Sequence, residues 1–528
     1  MIVGPPTDLV DLAARRSGGL VIGANDEYFA PKERLLDPAP PLATPGRYTD
    51  RGALMDGWET RRRREPGSDW CVVRLGLPGV VSEVVLDTTH FKGNAPAACT
   101  LEGCALEGDP SAAQLPVAGP GSAPRGTAPP AAGSGSAPRS TEPPAAGSGW
   151  VPLIEHATLQ PDRLQTLRVP GSPRVTHVRL TIHPDGGVAR LRVLGEPLPD
   201  LRRVVLGGRA DLASVASGGV ALAASEEFFS SRHHLVMVGD PTDMGDGWET
   251  RRRRDDGADW VIVRLAAAGL IERVEIDTSH FTGNHPAGCT VEVCDAPGAD
   301  LAALTGEGAG WRPLLDRTRL GPHRRHVLDV EAPGPATHAR LTIVPDGGVG
   351  RLRLWGTVTD DGWRAWGVRW LNALTATDAG AELGRCCGSA RWVAGMLARR
   401  PWPGFAAVLD AADEVWDGLA SEDWREALAA HPRIGERRAE VHSSWTRQEQ
   451  ASATDPEAAT AEAIVAGNRA YEQRFGQTFV ICATGRSAPG ILAELERRLG
   501  NDPAAELGEA AAEQAAITRL RLEKLVRP

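Results

Sequence analysis

The sequence contains few cysteines, very few lysines and no long apolar run, and each shortage excludes a class of protein. Eight cysteines among 528 residues are too few for a disulfide scaffold. No run of 18 apolar residues is present, so no membrane span is predicted. The net charge of −10 gives no electrostatic reason to expect binding to nucleic acid or to an anionic membrane.

Cofactor motifs are missing as well. The sequence has three lysines, none in a pyridoxal phosphate context, and it has no glycine-rich phosphate loop. We therefore expect no cofactor. Cys99 and Cys104 are matched by Cys289 and Cys294, but no ligand stands beside them at zinc spacing, so buried free thiols and no metal are expected. The start MIVGPPTDLV lacks the features of a secretory signal, which predicts a cytoplasmic protein.

The sequence DGWETRRRR is present twice, at residues 56–64 and 246–254, and matched landmarks surround both copies. Ser17 and Ser217 are 200 positions apart, whereas the two motifs are 190 apart, so the first copy has ten extra residues before its motif. A Pro/Gly/Ser/Ala tract at about 115–148 is predicted to be a disordered insertion. The predicted domains are residues 1–199, 200–358 and 359–528.

Alternation of apolar and polar residues predicts strands in both copies. Val178, Leu180 and Ile182 alternate with polar residues, PDGG supplies turn chemistry, and the pattern resumes at Leu191, which predicts a hairpin with an outward face of His and Arg. WCVVRL and VVSEVVLD predict two further strands. Each copy is therefore predicted to be an antiparallel β-sandwich of jelly-roll type.

Beyond about residue 358 the pattern becomes helical. Helices are predicted from Asp455 to about Phe475, over residues 489–499 and over residues 503–526, separated by the apolar FVICA segment at 479–483. The predicted fold class is thus multidomain: two tandem antiparallel β-sandwiches followed by an all-α helical bundle.

The repeated motifs suggest an anion site. A run of four arginines is most often a solvated face, but the acidic residues and Trp at fixed places favour guanidinium groups held to capture a carboxylate. In DTTHFKGN and DTSHFTGN the histidine could be an acid–base group, a metal ligand or a structural partner. PDGG is the weakest of the three, because turn chemistry alone explains it.

DGWETRRRR, the DWVIVRL type of strand, DTSHFTGN and PDGGVARLRVLG, all present twice in this order, resemble the allantoicase family over about residues 5–358. The resemblance implies paired jelly-roll sandwiches and hydrolysis of allantoate to ureidoglycolate and urea. The family provides no settled catalytic set, so the expected residues follow from the chemistry of the reaction. They are Glu59, Arg61, His90, Asn94 and Asp185 in the first copy, or Glu249, Arg251, His280, Asn284 and Asp346 in the second. The copies need not be equivalent, and a site shared between them stays open.

The helical part carries LNAL, RPWPGF, HPRIGE, TRQEQ, NRAYEQRFGQTFVICATGRS and ITRLRLEKL. A lone histidine such as His431 is more often structural than catalytic, but this order resembles the 2-oxo-4-hydroxy-4-carboxy-5-ureidoimidazoline (OHCU) decarboxylase family over about residues 366–526. The resemblance implies a helical bundle and a cofactor-free decarboxylation to (S)-allantoin, with His431 as the catalytic proton donor and Glu449 as a second catalytic residue. The implied substrate-binding residues are Pro432, Thr446, Arg447, Gln448, Gln450, Phe479, Val480, Ile481, Cys482, Ala483 and Arg521.

The sequence thus predicts a bifunctional enzyme of ureide breakdown acting on small-molecule ureides, without nucleic acid or membrane partners, and we expect a homo-oligomer. The alternative is a pair of non-catalytic ligand-binding sandwiches with a helical interaction domain.

Overall fold

A computed structural model of the protein describes residues 9–106, 149–431 and 458–527. The chain divides after Thr359 into two units, residues 1–359 and 360–528. The tract at 115–148, which we predict to be disordered, lies outside the described residues. Within the described part of the chain, no helix is long and apolar enough to cross a membrane.

The described residues of the first copy form a strand-rich domain with one short helix. The strands are β1 (Val10–Asp11), β2 (Leu20–Ala24), β3 (Tyr48–Thr49), β4 (Gly52–Ala53), β5 (Trp58–Glu59), β6 (Asp69–Asp87), β7 (Ala98–Cys104), β8 (Val151–Thr158), β9 (Leu164–Arg168), β10 (Arg174–His183), β11 (Gly187–Val188) and β12 (Arg190–Pro197). Helix α1 (Leu201–Val204) follows them.

Strand β6 organises this copy. Its first half pairs with β2 and β10, and its second half pairs with β9 and β12, all antiparallel. The resulting sheet runs β1-β12-β6-β10-β7-β8, with β2 and β9 also on β6. Buried side chains alternate along most of β6, as expected for a strand with one face on a core. The two separate strands predicted for WCVVRL and VVSEVVLD are therefore wrong, because β6 runs through both.

The predicted hairpin at the PDGG turn is also wrong. β10 and β12 each pair with β6 and not with each other. The turn chemistry is present, but it carries the chain from one half of β6 to the other. The predicted outward His/Arg face is likewise buried: Arg179 is 2% exposed, its Nε donates to Glu102 over 2.8 Å, and it lies over the Trp150 ring.

The second copy repeats this topology. Its strands are β13 (Ala210–Asp211), β14 (Val220–Ala224), β15 (Trp248–Glu249), β16 (Asp259–Asp277), β17 (Gly288–Cys294), β18 (Arg312–Arg319), β19 (Arg325–Asp329), β20 (Ala336–Val344), β21 (Gly348–Val349) and β22 (Arg351–Val358), with helix α2 (Leu301–Thr305). The sheet order β13-β22-β16-β20-β17-β18 matches the first copy strand for strand. The duplicated sequence therefore folds as a duplicated antiparallel domain.

One glycine of the PDGG motif is explained by packing and not by its turn. A Cβ on Gly187 would lie 1.9 Å from Cε1 of Phe91, a fully buried ring of the DTTHFKGN motif. Gly348 and Phe281 repeat this contact, also at 1.9 Å. The second glycine of PDGG is thus required where the backbone meets an aromatic ring.

Gly187→Ala is expected to lower the free energy of unfolding of the first unit by about 1–3 kcal/mol, because the added methyl overpacks the Phe91 ring. Urea unfolding followed by tryptophan fluorescence measures the loss. Gly93→Ala is the matched control, since no atom lies within 4 Å of a Cβ at that position. Equal stability of the two variants would contradict this explanation of PDGG.

Within its described residues, the second unit contains helices and no strand. Its helices are α3 (Asp360–Ala373), α4 (Ala376–Gly384), α5 (Ala390–Leu397), α6 (Phe405–Asp417), α7 (Ser421–Ala429), α8 (Ala458–Phe475), α9 (Ala488–Arg498) and α10 (Pro503–Leu525). The ends of α9 and α10 confirm the predicted helices to within one residue, and α8 ends where predicted. The predicted start of α8 at Asp455 lies outside the described residues.

The helical unit has a buried aromatic core. Trp392, Tyr471 and Phe479 are each at most 2% exposed. All eight cysteines of the chain are free, and seven of them are buried, which confirms the predicted free thiols.

Candidate active sites

Three repeated motifs meet in the first copy where β5 pairs with β11. Glu59 stands opposite Gly187, and Trp58 stands opposite Val188. The Gly187 N–H donates to the carbonyl of Asn94 over 2.8 Å. The DGWETRRRR, DTTHFKGN and PDGG motifs therefore converge on one place, although they are far apart in sequence.

Glu59 is the buried carboxyl of this site. Its side chain is nearly enclosed, and Asn94 Nδ2 donates to its Oε1 over 2.6 Å. Burial raises the pKa of the Glu59 carboxyl above its usual value, and the Asn94 hydrogen bond opposes that rise in part. Oε2 has no hydrogen-bond partner among the described residues. A carboxyl with a raised pKa and one free oxygen is suited to proton transfer.

Two arginines of the motif are neutralised by buried aspartates. Arg61 Nε lies 2.7 Å from Asp26 Oδ2, and Arg63 Nη1 lies 2.7 Å from Asp69 Oδ1. Asp185, an expected substrate-binding residue, accepts the backbone N–H of Arg63 over 2.7 Å. The guanidinium groups are therefore held in place by acidic residues outside the motif, and Asp185 fixes the motif's backbone.

The two candidate histidines occupy left-handed backbone positions, with φ of 73° at His90 and 71° at His280. The imidazole Nε2 of His90 lies 3.3 Å from the carbonyl oxygen of Pro41, and that of His280 lies 3.0 Å from the carbonyl oxygen of Pro241. Both contacts are to the loop that precedes DGWETRRRR. Within the described residues, neither imidazole is hydrogen-bonded to the glutamate of its own copy.

The second copy brings the corresponding residues together in the same way. Asn284 Nδ2 donates to Glu249 Oε1, and Asp346 accepts the backbone N–H of Arg253 over 2.9 Å. The structure therefore joins the candidate glutamate and the candidate asparagine by a hydrogen bond in both copies.

The two sites differ in how far they are enclosed. The Arg61 side chain is 30% exposed, whereas that of Arg251 is 63% exposed. Arg61 lies over the ring of Tyr28, and Arg251 lies over the ring of Phe228. The β3–β4 hairpin, which falls in the ten extra residues, is present only in the first copy within the described residues. The first site is thus the more sheltered one.

One ion pair of the first copy has no counterpart within the second copy, where an ion pair between the two copies takes its place. In the first copy Asp56 Oδ1 lies 3.2 Å from Arg34 Nη1. At the corresponding position of the second copy stands His234, and Asp246 pairs instead with Arg16 of the first copy. Burial, with the nearby charge of Arg16, lowers the pKa of His234 to about 4. Sequence reasoning missed Arg16, although the exchange of Arg34 for His234 is a visible signal.

In the helical unit, His431 follows the end of α7. Its backbone N–H donates to the carbonyl of Leu428 over 3.2 Å. Leu428 packs in one buried cluster with Val480 and with Leu507 and Ile517 of α10. The structure therefore brings the His431 end of α7 towards the FVICA segment.

Two charged side chains hold the FVICA segment, and one of them, Arg498, is fully buried. The Val480 carbonyl accepts from Arg498 Nη1 over 2.9 Å, and Arg498 pairs with Glu506, both side chains being 0% exposed. The Cys482 N–H donates to Glu513 Oε2 over 2.7 Å. The first three residues of the segment are buried and the other two are partly buried. Arg498, Glu506 and Glu513 were not predicted, because a helical sequence pattern does not show which charged residues will lie against the FVICA segment.

Arg521 lies on α10 near two neighbouring thiols. Burial raises the pKa of Cys387 to about 11, and the Arg521 charge opposes the rise. The remaining candidates of this unit lie outside the described residues. They are Pro432, Thr446, Arg447, Gln448, Glu449 and Gln450.

Two family models match the chain. A model of the allantoicase repeat matches residues 10–198 and 210–359. A model of OHCU decarboxylase matches residues 372–523.

Similar proteins cover the first unit. A probable allantoicase from Burkholderia mallei is 40% identical over 351 residues, or 66% of this chain and 94% of that protein. A probable allantoicase from Nocardia farcinica is 44% identical over 352 residues, with the same shares covered. A crystal structure of allantoicase from Saccharomyces cerevisiae is 31% identical with a TM-score of 0.51, covering 67% of this chain and 95% of that one.

Proposed function

This chain belongs to the allantoicase family and carries an OHCU decarboxylase domain behind its two allantoicase repeats, and we propose that Glu59 is the acid–base group of its hydrolase. The protein is a bifunctional enzyme of purine catabolism. It hydrolyses allantoate to ureidoglycolate and urea, and it decarboxylates OHCU to (S)-allantoin. Non-catalytic sandwiches are not favoured, because both family matches are to enzymes.

The observation that supports this site is the buried Glu59 carboxyl with its pKa raised by burial and one oxygen free. In the hydrolysis the bond between the central carbon and a ureido nitrogen breaks. The hydroxyl of water goes to that carbon, and a proton goes to the leaving nitrogen. Glu59 would take the proton from water through Oε2 and deliver it to urea, while Asn94 holds Oε1. The first repeat is therefore proposed as the productive one.

Asn94→Leu is expected to move the acidic limb of the pH profile of allantoate hydrolysis to higher pH. The Asn94 hydrogen bond lowers the pKa of Glu59, so its loss raises that pKa further, and the carboxylate form is then lost at a higher pH as the solution is acidified. The pH dependence of kcat/KM measures the shift. Asn284→Leu, the same change in the second repeat, is the control; an unshifted limb in Asn94→Leu would contradict the role of Glu59.

For the decarboxylase we propose that His431 donates the proton. Loss of CO₂ breaks a carbon–carbon bond and leaves its electron pair on the ring carbon. That carbon must be protonated from one face to give a single enantiomer, which a positioned imidazolium can do. The contact of Leu428 with Val480, beside His431, supports this placement.

We further propose domain boundaries at residues 199 and 358, a cytoplasmic location, the absence of nucleic-acid partners and a homo-oligomeric state.

A further inference from the structure

The FVICA segment is held by side chains of the two helices that follow it. The five described residues 479–483 form neither helix nor strand, so their backbone groups need partners outside secondary structure. Arg498, the last residue of α9, donates to the Val480 carbonyl over 2.9 Å. Glu513 of α10 accepts the Cys482 N–H over 2.7 Å. Two backbone groups of the segment are thus fixed by charged side chains.

These contacts fix the peptide groups on both sides of Ile481. Both peptide bonds are trans, and in a planar trans peptide group the C=O and the N–H point in opposite directions. Arg498 holds the carbonyl of the first group, so the Ile481 N–H points away from Arg498. Glu513 holds the N–H of the second group, so the Ile481 C=O points away from Glu513.

The two main-chain groups of Ile481 are left over. Among the described residues, neither its N–H nor its C=O takes part in a hydrogen bond, and the residue is only 4% exposed. A buried donor and a buried acceptor without partners cost free energy unless a ligand satisfies them. A ureido group carries the complementary C=O and N–H. Ile481 is therefore suited to pair with the amide edge of a ureide.

Glu513 is itself held in place. Its side chain is 16% exposed, and its Oε1 lies 3.1 Å from Arg486 Nη2. The backbone N–H of Arg486 donates to the Ala483 carbonyl over 3.0 Å, which ties Arg486 to the end of the FVICA segment. Both oxygens of the Glu513 carboxylate are thus engaged, one by the segment and one by the turn that follows it.

We propose that Glu513 is a positioning residue of the decarboxylase: it holds the Cys482 N–H and thereby directs the Ile481 carbonyl to accept an N–H of the ureide substrate. The inference rests on the proposed decarboxylase site at His431 and the FVICA segment. Glu513 acts through a peptide group and leaves the proton donor untouched. Its loss therefore weakens the binding of the substrate without removing the chemical step.

The test is the steady-state kinetics of OHCU decarboxylation by the full chain, with Glu513 changed in two opposite ways. Glu513→Asp keeps the charge, but its shorter side chain withdraws the oxygen from the Cys482 N–H. KM is expected to rise by about tenfold, the range of one lost hydrogen bond to a charged group. The value of kcat should change far less, because binding is lost equally from the ground state and the transition state.

Glu513→Gln loses the charge but keeps an oxygen at the same reach. KM is expected to stay close to the wild-type value, because the amide oxygen still accepts the Cys482 N–H. Arg486 loses its ion pair in this variant, but its side chain is 41% exposed and can be solvated instead. A role for the charge of Glu513, as opposed to its position, predicts the reverse order of the two variants.

Glu509→Asp is the matched control. Glu509 stands one turn earlier on α10 and pairs with Arg497 and Asn501. Within the described part of the chain, no hydrogen bond joins it to the FVICA segment. The inhibition constant of the product (S)-allantoin, which keeps the ureido group, should rise with KM in Glu513→Asp and stay unchanged in Glu509→Asp.

The assignment of Glu513 is wrong if KM in Glu513→Asp equals that in Glu509→Asp, or if Glu513→Gln raises KM as much as Glu513→Asp. A lowered kcat with an unchanged KM would contradict it as well. A failure of the proposed function has a different signature, since His431→Ala would then keep its kcat and the enantiomeric excess of its product. The Glu513 variants leave that measurement unaffected.

Discussion

Glu59→Gln is expected to slow allantoate hydrolysis by about a thousandfold, because removal of a positioned acid–base group costs about 10²–10⁴ in rate. Glutamine has nearly the same volume, and its carbonyl oxygen can still accept the Asn94 hydrogen bond. The fold is therefore expected to persist. Urea release at saturating allantoate measures the loss in kcat, and the far-ultraviolet circular dichroism spectrum checks that the chain is folded.

Glu249→Gln makes the same change at the corresponding position of the second repeat. Glu249 also accepts a hydrogen bond from its asparagine, but its surroundings are more open. Hydrolysis is expected to stay close to the wild-type rate in this variant. A large loss in Glu249→Gln, with or without one in Glu59→Gln, would contradict an active site confined to the first repeat.

His431→Ala is expected to reduce the formation of (S)-allantoin from OHCU by about a thousandfold, because the proton donor to the decarboxylated carbon is removed. Any allantoin that still forms should be racemic, since no group then selects a face. The circular dichroism of the product measures the enantiomeric excess, and the decay of OHCU absorbance measures the rate.

Each variant serves as the control of the other. His431→Ala should release urea from allantoate at the wild-type rate, because its substitution lies outside the allantoicase repeats. Glu59→Gln should produce (S)-allantoin normally. Stereoselective decarboxylation that survives in His431→Ala would show that another residue donates the proton.

Local patterns predicted local structure well. Helices α9 and α10 lie within one residue of the positions that capping and periodicity indicate. The alternation in the PDGG region correctly indicates two strands, yet the pairing was predicted wrongly. A tight turn is compatible with a hairpin and equally with a crossover, and the partner strand β6 begins about 100 residues earlier in the chain. Strand pairing depends on such long-range contacts, which no local pattern contains.

The residues of the candidate site could also be predicted only in part from the sequence. Glu59 and Asn94 were named as candidates from the repeated motifs, and the structure joins them by a hydrogen bond. Arg16 was not named, because it stands outside the repeated motifs. Its importance depends on a carboxylate of the other repeat, Asp246, that folds against it.

A crystal structure of the full chain with a non-hydrolysable allantoate analogue would test the proposed hydrolase site most directly. The analogue is expected in the first repeat, with the nitrogen that replaces the leaving group within hydrogen-bond distance of Glu59 Oε2. An analogue bound only in the second repeat, or in the first repeat away from Glu59, would contradict the account.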